Sequence, residues 1–205
     1  MARGKLITIE GVDGAGKSTL AAGLVGDLQR RGIATELLRE PGGVQAAEHI
    51  RALVKDPSAQ IAARTEALLY AAARAQLVEE ALEPLLRDGS WVLLDRFVDS
   101  SLAYQGAGRG LGLEPVRMIN AFATAGLEPD RTLLLRIDPA VGLARSRGRG
   151  ELDRLELEPD DFFHRIADAY DALARADPAR IRVIEADRPP AEVLAAAVDA
   201  LRDLV

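Results

Sequence analysis

The chain has no cysteine, which removes disulfides, zinc ribbons and thiol nucleophiles together. Its two histidines, His49 and His164, are too few for a histidine-rich metal site. No apolar run approaches the length of a membrane span. Behind the basic start Met1-Ala2-Arg3-Gly4-Lys5, the first apolar stretch ends at Glu10, too short for a signal-peptide core. The expectation is a cytoplasmic protein with no membrane partner. Positive charge is also in deficit: the net charge of -6 offers nucleic acid no generic surface, so any phosphate site must be a local gathering of arginine. Internal repeats and low-complexity linkers are lacking too. What remains is 205 residues, 48% hydrophobic, enough for one well-buried α/β domain over 1–205 and short for two.

Within that frame the informative stretch is Gly11-Val12-Asp13-Gly14-Ala15-Gly16-Lys17-Ser18, followed by Thr19. Two glycines bracket four residues and precede Lys-Ser, the phosphate-binding P-loop pattern. Leu6-Ile7-Thr8-Ile9 before it predicts a buried strand, and Leu20 to Arg31 after it predicts a helix stopped by Gly32. Gly11, Gly14 and Gly16 permit positive φ and a close backbone approach, so that N–H groups can face a polyphosphate at a helix N-terminus. Lys17 can reach the β- and γ-phosphates, and the Ser18 hydroxyl can hold a bridging magnesium ion.

Along the rest of the chain, short apolar runs alternate with helical patterns. Strands are expected at Ala34 to Leu38, Trp91 to Leu94, Thr132 to Ile137 and Ile181 to Glu185. Helices are expected at Val44 to Val54, Ala62 to Ala81, Ser100 to Gln105, Pro115 to Thr124, after Asp138-Pro139, Asp160 to Ala176, and from the loop Ala186-Asp187-Arg188-Pro189 on to Leu204. Pro84 should open a further turn, Gly89 should stop that helix, and Gly106 to Gly110 reads as a mobile loop. Strands and helices in this order predict a five-stranded parallel sheet flanked by helices, with ligands beyond the carboxyl ends of the strands. Asp95 ends an apolar strand as a Walker B carboxylate would, placed to orient magnesium or its waters. Arg145, Arg147, Arg149 and Arg154, interrupted by Gly148 and Gly150, read as a helix end opening into a basic lid at about 146–158. A solvated charged loop is the ordinary reading of such a run.

Several nucleotide-using classes share a P-loop. A GTPase switch needs an Asn-Lys-x-Asp stretch, which is absent; the fourth strand ends instead in Arg136-Ile137-Asp138-Pro139. A small kinase needs a second anionic site and a lid that excludes water. Arg39, Arg51, Arg74 and Arg96 supply candidates for the first, with Tyr70 one turn before Arg74 as an aromatic platform. Taken singly, Tyr70 is equally an ordinary core residue, and Arg39 and Arg51 surface ion-pair partners. A non-catalytic nucleotide-binding module remains an alternative.

In order and spacing, Glu10 to Lys17, Arg39-Glu40-Pro41-Gly42-Gly43, Tyr70 to Arg74, Asp95-Arg96-Phe97, Ala103-Tyr104-Gln105-Gly106 and Arg147 to Arg154 resemble bacterial thymidylate kinase over essentially the whole chain. The resemblance implies a P-loop nucleoside monophosphate kinase fold with a short lid, a homodimer, and ATP- and magnesium-dependent phosphorylation of dTMP to dTDP in dTTP biosynthesis. Another nucleoside monophosphate or deoxynucleoside kinase is the nearest rival. By position, the loop from Gly11 through Val12, Asp13, Gly14, Ala15, Gly16, Lys17 and Ser18 to Thr19 would hold ATP, with Arg145 against adenine and Ser18 and Asp95 at the metal. Arg96 would bridge the acceptor phosphate toward the γ-phosphate. Asp13 would approach the deoxyribose 3′-hydroxyl, and Tyr104 would exclude a ribose 2′-hydroxyl. Tyr70 would stack on thymine, with Arg74 and Ser101 at its polar edge; Arg39, Glu40, Pro41, Arg51, Ser100 and Gln105 complete the acceptor set. Gly14 stands where another branch of the family carries its catalytic arginine, so the lid would supply it here, Arg149 first and Arg154 second. Tyr70, Ser101 and Phe97 depart from the commoner phenylalanine, Asn or Thr, and tyrosine.

Overall fold

In the computed structural model, residues 3–148 and 152–205 are described. Strands β1 (Leu6–Glu10), β2 (Thr35–Arg39), β3 (Trp91–Asp95), β4 (Arg131–Arg136) and β5 (Ile181–Glu185) form one parallel sheet in the order β2-β3-β1-β4-β5. Every residue of β1 is buried, because it has a neighbour on each side and helices on each face. The edge strands β2 and β5 are only partly buried.

The pleat sorts the core. Ile7, Ile9 and Leu93 point to one side and join Leu24, Leu133, Phe162 and Ile166, whereas Leu6, Val92 and Leu94 point to the other and join Leu77, Leu82, Leu86 and Phe97. The flanking helices are α1 (Lys17–Arg30), α2 (Gln45–Lys55), α3 (Ala63–Leu77), α4 (Glu83–Arg87), α5 (Val98–Ser101), α6 (Leu113–Thr124), α7 (Pro139–Arg147), α8 (Asp160–Ala176) and α9 (Pro190–Ala200). The Asp138 carboxylate caps α7 by accepting from the Ala140 N–H at 2.8 Å, with Pro139 opening the helix. α9 ends at Ala200 rather than Leu204, the last residues forming turns.

Two stretches differ from the pattern-based reading. Pro84 does open the separate helix α4, but a π-helical turn over Val78–Leu82 joins it to α3 without a break. Its missing N–H thereby falls where the helix passes from π-helical to α-helical pairing. The expected mobile loop at Gly106 to Gly110 is not one. Residues Leu102–Gly108 form a second π-helical stretch, with Gly106 and Gly108 buried. A Cβ on Gly108 would sit 2.7 Å from Phe162 Cε2, so this glycine serves close packing of α8 rather than flexibility. The turn itself comes at Gly110 and Gly112, both at positive φ.

Register brings the functional ends together. Asp95 pairs with Ile9 on one side and Arg39 on the other, so the P-loop, the Arg39-Glu40-Pro41 corner and the Asp95-Arg96 corner leave the sheet side by side.

Candidate active site

The P-loop is held by contacts that only glycine allows. Gly14 has φ 78°, and a Cβ there would lie 2.0 Å from the Gly142 carbonyl oxygen; a Cβ on Gly142 would in turn lie 2.6 Å from that of Asp13. The loop is therefore wedged against α7. Lys17, buried at the start of α1, donates through Nζ to the carbonyls of Gly11 and Val12 at 3.1 and 3.0 Å. Burial, and then the positive charge of Arg96, lower its pKa to about 8.

Arg96 adopts a left-handed backbone with φ 72°, uncommon for a residue with a side chain. The buried Glu10 carboxylate holds that corner: Oε1 accepts from the Phe97 N–H at 2.8 Å, and Oε2 accepts from the Ser100 and Tyr170 hydroxyls. The Arg96 guanidinium then donates to Gly11 O at 3.0 Å, Ser100 Oγ at 3.2 Å, Tyr104 Oη at 3.1 Å and Asp13 Oδ1 at 2.7 Å. Tyr104 Oη donates to the other Asp13 oxygen at 2.9 Å. Burial pushes the Asp13 carboxyl up, but Arg96 and Lys17 overcome it and hold it well below the usual carboxylate range. Asp13, Arg96 and Tyr104 thus form one unit between the P-loop and the cleft beyond it.

That cleft gathers most of the residues singled out from the sequence. Asp13, Gly14, Gly16, Lys17, Ser18 and Thr19 border it from the P-loop; Arg39, Glu40, Pro41, Arg51, Tyr70 and Arg74 border it opposite; Asp95, Arg96, Ser100, Ser101, Tyr104 and Gln105 close it beneath. Exposed Arg39 pairs with Glu48 at 3.2 Å, and Arg51 donates to Pro41 O at 2.8 Å. Arg74 borders the cleft yet is 1% exposed and commits its guanidinium to protein acceptors. Nε donates to Glu40 Oε2 at 2.8 Å, Nη1 to Ser101 Oγ at 2.9 Å and to Asn120 Oδ1, and Nη2 to Glu40 and to Phe97 O at 2.9 Å. These contacts use its five N–H groups. Burial pushes Glu40 upward in pKa against the pull of Arg74.

Gly11, Val12 and Ala15 lie behind the cleft wall, as the loop's own turn requires. Arg145 is exposed on α7, away from the cleft. Arg149 lies outside the described residues. Arg154 points elsewhere than toward the P-loop: Nε donates to Val54 O at 3.0 Å and Nη2 to Glu66 at 2.7 Å. The sequence reading also missed wall residues. Lys55, Asp153 and Leu155 border the cleft, with Lys55 and Asp153 paired at 2.6 Å. Lys55 ends an amphipathic helix whose exit toward the lid has no local signal; Glu10, adjoining the P-loop, could have been found there.

A P-loop at the head of this sheet, facing an arginine-lined cleft across a strand-end arginine, defines a kinase of the nucleoside monophosphate kinase class. The relatives narrow the class. A thymidylate kinase family model matches residues 9–197. The thymidylate kinase of Deinococcus radiodurans is 48% identical over 193 residues, 94% of each chain. That of Lactobacillus delbrueckii subsp. bulgaricus is 49% identical over 201 residues, covering 96% of this chain and 94% of the relative. That of Alkalilimnicola ehrlichii is 46% identical over 207 residues, covering 100% and 95%. The chain belongs to the thymidylate kinase family.

Among the described residues no helix is long and apolar enough to cross a membrane.

Proposed function

We infer that the chain transfers the γ-phosphoryl group of ATP to the phosphate of dTMP, giving ADP and dTDP, within a single domain. An oxygen of the acceptor phosphate forms the new bond to γ-phosphorus as the bond to the β,γ-bridging oxygen breaks. The observation that carries this reading is Arg96, whose guanidinium touches the P-loop at Gly11 and Asp13 and faces the cleft beside Tyr104. One planar fork there can hold the acceptor phosphate in line with the γ-phosphate.

The remaining roles follow from position. Lys17 and the loop N–H groups hold the ATP phosphates, with the loop wedged so that little reorganisation is needed. Arg39 and Arg51 add positive charge on the acceptor side. Tyr70 offers a face to the base, and Tyr104, already tied to Asp13, presses on the sugar where a 2′-hydroxyl would fall. Because Ser101 Oγ accepts from Arg74, its own O–H is left to donate to a base carbonyl; Arg74 acts by fixing Ser101 and Glu40. Arg149 is the lid residue we assign to charge on the transferring group, and Arg145 to adenine. Ion pairing of Arg154 with Glu66 withdraws it from that assignment.

Magnesium fits the site. Asp95 Oδ1 is buried with no hydrogen-bond partner, and Asp95 and Ser18 border the same cleft. Those two would hold the ion or its waters, and the ion would supply positive charge beside the transferring phosphoryl group. Among the described residues no group of three His, Cys, Asp or Glu is placed to bind a metal alone, which suits an ion carried in with the nucleotide.

We read the apolar face formed by Leu68 of α3 and Met118 and Phe122 of α6 as the seat of a second copy. These side chains are 57%, 65% and 90% exposed, and the two helices pack together.

ADP production with ATP and magnesium, compared across dTMP, dUMP, UMP, CMP, thymidine and no acceptor, tests the function. Selective response to dTMP is expected. Folded protein that binds ATP without acceptor-dependent turnover would make this a nucleotide-binding module instead.

A further inference from the structure

We propose that Glu66 is a positioning residue that fastens the acceptor cleft and the lid to one buried carboxylate. Glu66 lies in the first turn of α3 and is 0% exposed. Three groups from two other parts of the chain converge on it. Gln105 Nε2 donates to Oε1 at 2.9 Å, Arg109 Nε spans both oxygens at 3.2 and 3.1 Å, and Arg154 Nη2 donates to Oε2 at 2.7 Å.

These partners differ in what they do. Arg109 has a second carboxylate, Glu158 Oε1 at 2.5 Å, and lies over the Phe162 ring, so its charge is answered without Glu66. Arg154 meets Glu66 as its carboxylate, supplemented by the Val54 carbonyl. Its neighbours Asp153 and Leu155 form part of the cleft wall, as does Gln105. Residues 152–158 are therefore seated on the acceptor side through Arg154, beside the Lys55–Asp153 and Arg109–Glu158 pairs, and Gln105 reaches the same seat from within the cleft. An acceptor that steadies Gln105 steadies Glu66, and with it the wall that keeps water from the γ-phosphoryl group.

The proposal rests on the kinase reading, but its first test does not. Amide exchange over 152–158 is measured without nucleotide in the wild type, Glu66→Gln, Arg154→Gln and the double variant. Exchange should quicken about tenfold in both single variants. In steady state, dTDP formation should fall about tenfold while ATP consumed per dTDP rises above one, and the double variant should be no worse than the poorer single within about twofold. Unchanged exchange in Arg154→Gln, losses that multiply in the double variant, or an ATP to dTDP ratio that stays at one would each overturn the proposal. If Glu66→Gln does not fold, Arg154→Gln alone decides, since Glu66 then keeps Arg109 and Gln105. Wild-type turnover with dTMP tests the kinase reading separately.

Discussion

Arg96 Nη2 lies 2.7 Å from Asp13 Oδ1, so the arginine at the end of β3 and the acid of the P-loop form one ion pair across the mouth of the cleft. Both are part-exposed on the cleft side, leaving the guanidinium open to an incoming phosphate. The planar fork, and not charge alone, satisfies Gly11, Ser100, Tyr104 and Asp13 together. Arg96→Lys should therefore lower kcat by about 10²–10³-fold with a smaller change in ATP affinity. Steady-state kinetics with separate ATP-binding titration checks this; near-normal turnover in the lysine variant would remove the fork from the mechanism.

Lys17 is poised near pH 8 because it is buried beside Arg96. A bound polyphosphate favours the charged form, so its pKa rises on binding. Between pH 8 and 9 ATP binding should take up protons, and affinity should fall as pH rises through 8, where about half of free Lys17 is neutral. Calorimetry in buffers of different ionisation enthalpy reads the uptake. It should vanish in Lys17→Met.

Arg74 and Glu40 form a buried pair. Removing the cation strands a carboxylate, so Arg74→Met should destabilise the fold by about 3–5 kcal/mol. The pH sign follows from Glu40, whose folded pKa is already raised, with burial as the main cause, to about 7. A raised carboxyl pKa favours folding at low pH and loses that benefit as pH rises from the unfolded value toward the folded one. Removing Arg74 takes away the charge that pulls this pKa down, so both proteins lose stability alike up to about pH 7 and the deficit of Arg74→Met should widen as pH rises above about 7. Urea midpoints across that range measure it; a deficit that narrows would place the carboxylate in water.

Gly108 meets Phe162 too closely for a side chain. Gly108→Ala should destabilise by about 1–3 kcal/mol through overpacking, although helix propensity alone favours alanine. A raised urea midpoint would return this segment to the status of a loose loop.

Phe122→Asp combined with Met118→Asp should give a monomer by light scattering if the α3–α6 face seats a second copy. A wild type that is itself monomeric would remove the second copy, and a variant that keeps a dimer's mass would remove this face as its seat.

The legible parts of this molecule were those whose signal is local. The sheet alternation, the Asp138-Pro139 start of α7, the span of α8 and the P-loop each arise from neighbouring residues acting on the backbone they share. Most of the predicted acceptor set also converges on the cleft, because strand ends in a parallel sheet point one way. What escaped depends on distant partners. Gly108 read as freedom because Phe162 and Ile166, which it admits, lie more than fifty residues on. Arg74 read as a ligand contact because its acceptors at Glu40, Phe97, Ser101 and Asn120 come from separate elements. Arg154 read as catalytic because nothing near it in sequence announces Glu66.

Gly14 and Gly142 touch backbone to backbone, 128 positions apart in the chain. Neither can gain a methyl group without dislodging the other's segment. The start of the lid is thus wedged against the P-loop, while residues 152–158 rest on the opposite side of the cleft. The chain on either side of 149–151 is thereby held by different parts of the site, its start against the P-loop and its end against α2 and α3.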